Sequence, residues 1–312
     1  MPTDESLAAR LATAERLLRA DLGVRVRTGF PLAPLTSFRL GGPAALYLEP
    51  EDEADLAAAG RAIGDGAIPW LVLGKGSNLL VADEGFPGLV LRLGRGFRWV
   101  AREGDLLRAG AAMPLPALAG VALRHGLDGI SFGVAIPASL GGAVRMNAGA
   151  HDAQLADVIE RVEVFRLAEG RSTSVDGADA GFGYRHSELP GDGVVTGATL
   201  RLRPGDTAAI RARMQEVKDW RRRTQPLAEP NCGSVFTNPP GDHAARLIDE
   251  AGGKALQEGG AHVSGKHANF IVAGPGATAA DVRRLIERVR ALVLERSGVD
   301  LQPEVHLVGG EA

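Results

Sequence analysis

One cysteine, Cys232, stands in 312 residues. That excludes an internal disulfide and fits a reducing compartment. Aromatic residues make up only 4% of the chain. No apolar stretch approaches the length needed to span a membrane. Asp4, Glu5 and Arg10 precede any apolar run, so the start does not read as a secretory signal. A formal charge of −3 gives no basic surface for nucleic acid or anionic lipid. The seven histidines lack paired ligand spacing; His262 and His267 have no cysteine or acidic partner beside them, so no metal site is expected. No serine lies in a Gly-x-Ser-x-Gly elbow. The expectation is a cytoplasmic, enzyme-sized protein of two or three domains, with core enough to need no staple.

Glycine, by contrast, is abundant: 42 residues. The chain is organised around 132–150, FGVAIPASLGGAVRMNAGA, which holds no acidic residue. Gly133, Gly141, Gly142 and Gly149 leave backbone N–H groups unshielded. Pro137 stiffens the entry, Ser139 and Asn147 add neutral donors, and Arg145 adds the one charge. This suits a cradle for a phosphorylated ligand, held mainly by main-chain dipoles. A buried small-residue segment that lets two elements pack closely has the same composition. A second glycine turn, Gly74-Lys75-Gly76-Ser77-Asn78, follows the apolar run 69–73. It lacks Walker spacing and the third glycine of a dinucleotide fingerprint, so a plain turn remains open.

Periodicity predicts helices over 6–21, 50–62, 115–123, 244–251 and from Thr278 onward, where Asp281 completes a capping box. A further helix follows Pro204-Gly205-Asp206 and ends at Gln225-Pro226. Its basic run, Lys218 and Arg221 to Arg223, reads as a solvated helix end or as a docking patch for an anion. Strands are predicted over 36–44 (broken by a glycine turn), 69–73, 88–93, 98–102, 106–110, 158–167, 194–203, 267–272 and 301–308. Cys232 reads as a small buried thiol, Ser234 as a turn serine, and Glu304 as an edge carboxylate.

Taken in order, five segments resemble one family. They are Gly74-Lys75-Gly76-Ser77-Asn78, Asn147-Ala148-Gly149-Ala150, Phe182-Gly183-Tyr184-Arg185, Gly233-Ser234-Val235-Phe236 and Pro303-Glu304-Val305. The family is UDP-N-acetylenolpyruvoylglucosamine reductase, in its shorter form, and the resemblance runs from Leu35 to Val308. It implies an α+β chain: a two-lobed FAD-binding fold of the vanillyl-alcohol-oxidase (PCMH) type with an added C-terminal α+β substrate domain. The implied division is 1–86 (with 303–312 returning to it) and 87–205 for the two lobes, and 206–302 for the UDP-sugar domain.

The resemblance further implies non-covalent FAD, NADPH as reductant, and UDP-N-acetylglucosamine enolpyruvate as substrate, in a monomer with no nucleic-acid or membrane partner. Ser234 matches the family's proton donor, and Arg185 and Glu304 its other active-site residues. Gly74, Lys75, Gly76, Ser77, Asn78, Ile136, Pro137, Ser139, Gly141, Gly142, Asn147, Ala148 and Gly149 match cofactor positions; Tyr184, Arg222, Gln225 and Asn238 are the expected substrate contacts. Two positions depart from the pattern. Ala138 stands where the family usually has glycine, so its backbone must avoid a positive φ or carry strain. Gln225 stands where some members have lysine. A flavin oxidase of the same fold would keep both glycine turns but leave Ser234 and Glu304 idle; a flavin-free sugar-nucleotide binder would be colourless.

Overall fold

A computed structural model describes residues 6–310. The chain divides into two compact units, each assembled from separated stretches. The first holds Met1–Gly29, Ala45–Lys75 and Gly88–Asp219; the second holds Phe30–Ala44, Gly76–Pro87 and Trp220–Ala312. Helix and strand are mixed without regular alternation, as the α+β expectation requires.

The first unit begins with α1 (Leu7–Leu22). The Ser6 hydroxyl accepts from Ala9 N–H at its start, and Gly23 ends it at φ 58°. Helix α2 (Glu53–Gly66) starts where the Asp52 carboxylate accepts from Asp55 N–H. The buried stripes of these helices, Ala14 and Leu18 with Leu56, Ala59 and Ala62, pack with Leu46, Leu48, Leu89 and Leu91. Those leucines come from a four-stranded sheet of order Arg27–Pro31, Pro43–Leu48, Phe86–Leu91, Trp70–Val72.

A second, antiparallel sheet runs in the order Arg171–Asp176, Ile159–Arg166, Gly193–Arg201, Leu106–Gly110, Val100–Glu103. Its inward residues Leu107, Ala109, Val162, Val164 and Ala198 meet α3 (Leu115–Arg124) and α4 (Leu140–Arg145) through Leu118, Ala122, Leu140 and Val144. The small residues of α4 let it lie close: a Cβ on Gly141 would come within 2.9 Å of Ala111 Cβ. Helix α5 spans Thr207–Thr224.

In the second unit, α6 (Ala244–Glu250) and α7 (Ala279–Ser297) cover a three-stranded antiparallel sheet, Gln257–Glu258, Ala261–Val263, Ile271–Ala273. The capping box of α7 is formed as predicted, Thr278 with Asp281. The Asp83 carboxylate adds bonds from Ala279 and Ala280 N–H at 2.8 and 3.0 Å. Leu79–Val81 and His306–Val308 pair in parallel, joining chain segments remote in sequence.

Three predicted strands are corrected. Residues 36–40 are a turn: Thr36 Oγ1 donates toward the carbonyls of Ala33 and Leu40, and Arg39 and Gly41 take φ of 58° and 107°. The strand begins only at Pro43. Residues 267–270 turn as well, with Phe270 N–H bonded to His267 O at 3.0 Å, so that strand is Ile271–Ala273. Of 301–308, only His306–Val308 is strand.

Candidate active site

In the first unit a cavity of about 810 Å³ opens between the end of the Trp70–Val72 strand and the start of α4. That is the size range of a cofactor site. Gly74, Lys75, Ser139, Gly141 and Gly142 all line it. The start of one glycine-rich stretch, Gly74–Lys75, and part of the other, 139–142, therefore line one cavity, whereas Gly76, Ser77 and Asn78 are not in its lining. Glycine is required where they meet: a Cβ on Gly74 would collide with Ser139 Oγ. Ser139 is only 6% exposed, yet its hydroxyl makes no hydrogen bond among the described residues. A hydroxyl with no protein partner at a cavity wall is an open position for a ligand's hydrogen bond.

Arg145 also lines this cavity. Its guanidinium donates to the carbonyls of Leu189, Pro190 and Gly193 at 2.7 to 3.0 Å. The nearby acid, Asp192, is held bidentately by Arg166 at 2.9 and 3.1 Å. Burial lowers the Arg145 pKa. A half-buried cation satisfied by neutral carbonyls leaves positive potential facing the cavity. Arg92, Arg95 and Arg98 add further cations to its lining, against Glu49 and Glu51. Size, bare glycine backbone, open hydroxyl and excess positive charge fit a dinucleotide carrying a diphosphate.

Ile136, Pro137, Asn147, Ala148 and Gly149 do not line that cavity. Ile136 and Ala148 pack on the core instead. Asn147 is 1% exposed with φ 40°. Its amide N–H groups go to Gln154 Oε1 and Gly183 O, and its Oδ1 accepts from Ala156 N–H, all near 3 Å. Both amide donors are spent on the protein. Asn147 ties the 132–150 segment to the turn that carries Tyr184 and Arg185. Ala138 is absent from the residues with positive φ, so replacing the family's glycine costs no backbone strain there.

Gly183 and His186 exchange both backbone bonds, at 3.0 and 3.2 Å, closing a tight turn over Tyr184 and Arg185. Arg185 sits at φ 56°, a region that costs a side-chain-bearing residue ~1 to 2 kcal/mol. The guanidinium lies 4.9 Å from the Tyr184 ring centroid and donates to Gly149 O at 3.3 Å.

Ser234 and Glu304 belong to the second unit, and its backbone brings them together. Glu304 N–H donates to Val235 O at 2.7 Å, and Phe236 bridges Pro303. Asn78 then fixes Glu304 from the far side: its Nδ2 donates to Glu304 O at 3.0 Å, and His306 N–H donates to Asn78 O at 3.1 Å. Asn78, expected at the cofactor, thus places its amide on the backbone of a predicted active-site residue. Gly76 has φ 61°, with the Leu35 carbonyl where a Cβ would go. Cys232 is buried; desolvation, then the nearby Glu304 charge, pushes its thiol up, which makes it inert.

Of the expected substrate contacts in this unit, Asn238 Oδ1 accepts from Ala244 N–H at the start of α6. Gln225 Oε1 accepts from Arg221 Nε at 2.8 Å. Arg222 O accepts from Lys266 Nζ at 2.6 Å.

Comparison with known proteins identifies the family of the chain. The family profile described as FAD binding domain matches residues 44–176. The profile described as UDP-N-acetylenolpyruvoylglucosamine reductase, C-terminal domain, matches residues 225–308. A UDP-N-acetylenolpyruvoylglucosamine reductase of Heliobacterium modesticaldum is 48% identical over 281 residues, 89% of either chain. One of Methylorubrum extorquens is 46% identical over 307 residues, 98% of either chain. The chain belongs to the UDP-N-acetylenolpyruvoylglucosamine reductase family.

The crystal structure of a reductase of this family from Thermus caldophilus superposes with a TM-score of 0.81 at 40% identity, covering 91% of this chain and 99% of that one. A BBE-like protein of Physcomitrella patens, at 13% identity and a TM-score of 0.52, shares the fold alone. Several residues that matter structurally carry little sequence signal: Arg145 reads only as a lone charge, and Asn231 and Asn269, which bond Gly233 and the Val235–Phe236 backbone, read as ordinary amides. A neutral amide in a loop carries no signal until its partners are known.

Proposed function

We propose that this chain reduces UDP-N-acetylglucosamine enolpyruvate to UDP-N-acetylmuramate at the expense of NADPH, in the cytoplasmic synthesis of peptidoglycan precursor. The observation that carries the reading is likeness to the family's reductases over nearly the full length; the bond from Glu304 N–H to the carbonyl of Val235, the residue after Ser234, supports it. Non-covalent FAD is the cofactor, with Gly74, Lys75, Ser139, Gly141 and Gly142 around its diphosphate. Bound there, it would supply the hydride chemistry that no side chain can.

Each side chain then has a task suited to its type. Arg185 holds the substrate carboxylate with a permanently charged fork, against which negative charge accumulates as the enol ether is reduced. Ser234 gives its proton to the carbon next to that carboxylate. A hydroxyl is a weak acid, but a carbanionic centre is a far stronger base, and close placement makes the transfer direct. Glu304 orients this arrangement. Tyr184, Arg222, Gln225 and Asn238 are assigned to the sugar nucleotide. The lobes divide as 1–86 with 303–312, and 87–205, with 206–302 for the substrate, in a monomeric protein.

Half-reactions test this. In stopped flow, Ser234→Ala should be bleached by NADPH at the parental rate but reoxidised by enolpyruvyl substrate ~10² to 10⁴ times more slowly, the usual worth of a positioned general acid. Reoxidation at the parental rate would remove Ser234 from the chemistry.

A further inference from the structure

Ser234 lies in chain without regular secondary structure, yet the two residues after it are bonded as if inside a sheet. Val235 N–H donates to Asn269 O at 2.9 Å. Phe236 N–H donates to Asn269 Oδ1 at 2.9 Å, and Phe236 O accepts from Asn269 Nδ2 at 2.8 Å. Asn269 thus supplies its carbonyl and both ends of its amide to consecutive residues. It does the work of a neighbouring strand at the place where the chain cannot provide one, because 267–270 is turning. The turn holds Asn269 in return: its N–H donates to His267 Nδ1 at 3.3 Å.

Asn269 is 4% exposed, so water does not compete for these bonds. On the other side of Ser234, Asn231 Oδ1 accepts from Gly233 N–H at 2.9 Å, with Gly233 at φ 81°. Asn231 anchors a flexible glycine. Asn269 anchors the buried residues Val235 and Phe236, and Val235 O is also the acceptor for Glu304 N–H. Asn269 therefore fixes the backbone that follows Ser234, and through Val235 O the chain segment that carries Glu304.

We propose that Asn269 is a positioning residue for proton delivery, holding the Ser234 turn in register with Glu304. The inference rests on the reading of Ser234 as proton donor. It says that the effect of Asn269 on the reaction passes through that hydroxyl. Misplacing a reacting group by about an ångström can cost ~10²-fold in rate.

The test is a double-mutant cycle on the FAD-loaded protein, with both half-reactions followed by flavin absorbance. Asn269→Leu keeps volume and removes the amide. Its reoxidation by UDP-N-acetylglucosamine enolpyruvate should fall by at least tenfold (~10²-fold at most), while NADPH reduces the flavin within twofold of the parental rate. In a Ser234→Ala background the same substitution should change neither rate by more than twofold, since the group it positions is gone. Equal losses with and without Ser234, or equal slowing of both half-reactions, would make Asn269 a purely structural residue and overturn the proposal. Parental reoxidation in Ser234→Ala alone would overturn the proton-donor reading and this inference together.

Should Asn269→Leu fail to fold, Asn269→Asp serves. Its protonated acid can replace both amide bonds, whereas its carboxylate faces the Phe236 carbonyl. Reoxidation by Asn269→Asp should therefore rise as pH is lowered, with the parental protein as control. A profile parallel to the parental one would count against Asn269.

Discussion

Placing a methyl group on Gly74 tests the cofactor wall directly. The added Cβ would fall inside normal contact of Ser139 Oγ but 3.6 Å from Ser139 Cβ, an ordinary van der Waals distance. The conflict is thus with one oxygen atom. Ser139 lines the cavity, so a hydroxyl displaced by the new methyl turns toward the space the cofactor would take. Overpacking of this kind costs ~1 to 3 kcal/mol. Because both residues line the cavity, the cost should appear in cofactor binding, as a Kd for FAD raised about 5- to 150-fold. Apoprotein titrated with FAD, followed by flavin fluorescence, measures it; circular dichroism checks that the fold is kept. Ser139→Ala removes the obstructing oxygen, so Gly74→Ala made in that background should cost less than twofold. The reasoning fails if Gly74→Ala binds FAD like the parent, or if its penalty is undiminished when Ser139 has lost its hydroxyl.

Two further outcomes follow from the same geometry. At Gly76, the residue after the cavity-lining Lys75, φ is 61° and Leu35 O blocks any Cβ, so Gly76→Ala and Gly76→Asp should both lose flavin on purification, and to the same extent; a loss confined to the aspartate would mean that charge, not shape, governs this turn. Burial, reinforced by the bond from its hydroxyl to Glu49 at 2.5 Å, pushes the Tyr47 phenol up to about 12. An unfolded tyrosine titrates near ~10. A raised folded-state pKa gives stability that is complete below the unfolded value and is lost as pH climbs through the folded one. Denaturant melts should therefore show the parent losing stability relative to Tyr47→Phe between about pH 10 and 12, and parallel curves would refute it.

How much of this was legible in the sequence depended on range. Helices whose caps lie beside them were readable: Ser6 and Gly23 for α1, Thr278 and Asp281 for α7. Strands 36–40 and 267–270 were misread because apolar and β-branched composition says nothing about the side-chain bonds that bend them, Thr36 to the carbonyls of Ala33 and Leu40, and His267 to Asn269 N–H. At the site, the glycine content of the two stretches is a local property that the sequence displays, and part of each lines the cavity. Asn147 and Asn78 looked like ligand donors, but their amides serve backbone groups at Gly183 and Glu304. Such partners lie tens to hundreds of residues away, beyond any local pattern. Ser234 and Glu304 drew interest only through likeness to a family.

The bond from Asn78 to Glu304 spans 226 positions of chain, and the parallel pairing of Leu79–Val81 with His306–Val308 rests on the same closure. A ribosome must therefore emit Leu79–Val81 long before the strand that completes it exists. During that interval a hydrophobic edge waits unpaired, exposed to aggregation and to whatever holdase the cell provides. A nascent product can bury α1 against α2 early, since those contacts are near in sequence, but the Leu79–Val81 edge stays open until His306–Val308 is made. A chain stopped a few residues upstream of Glu304 would lack both that strand and the acceptor of the Asn78 amide, so closure of the second unit waits for the distal end of the polypeptide.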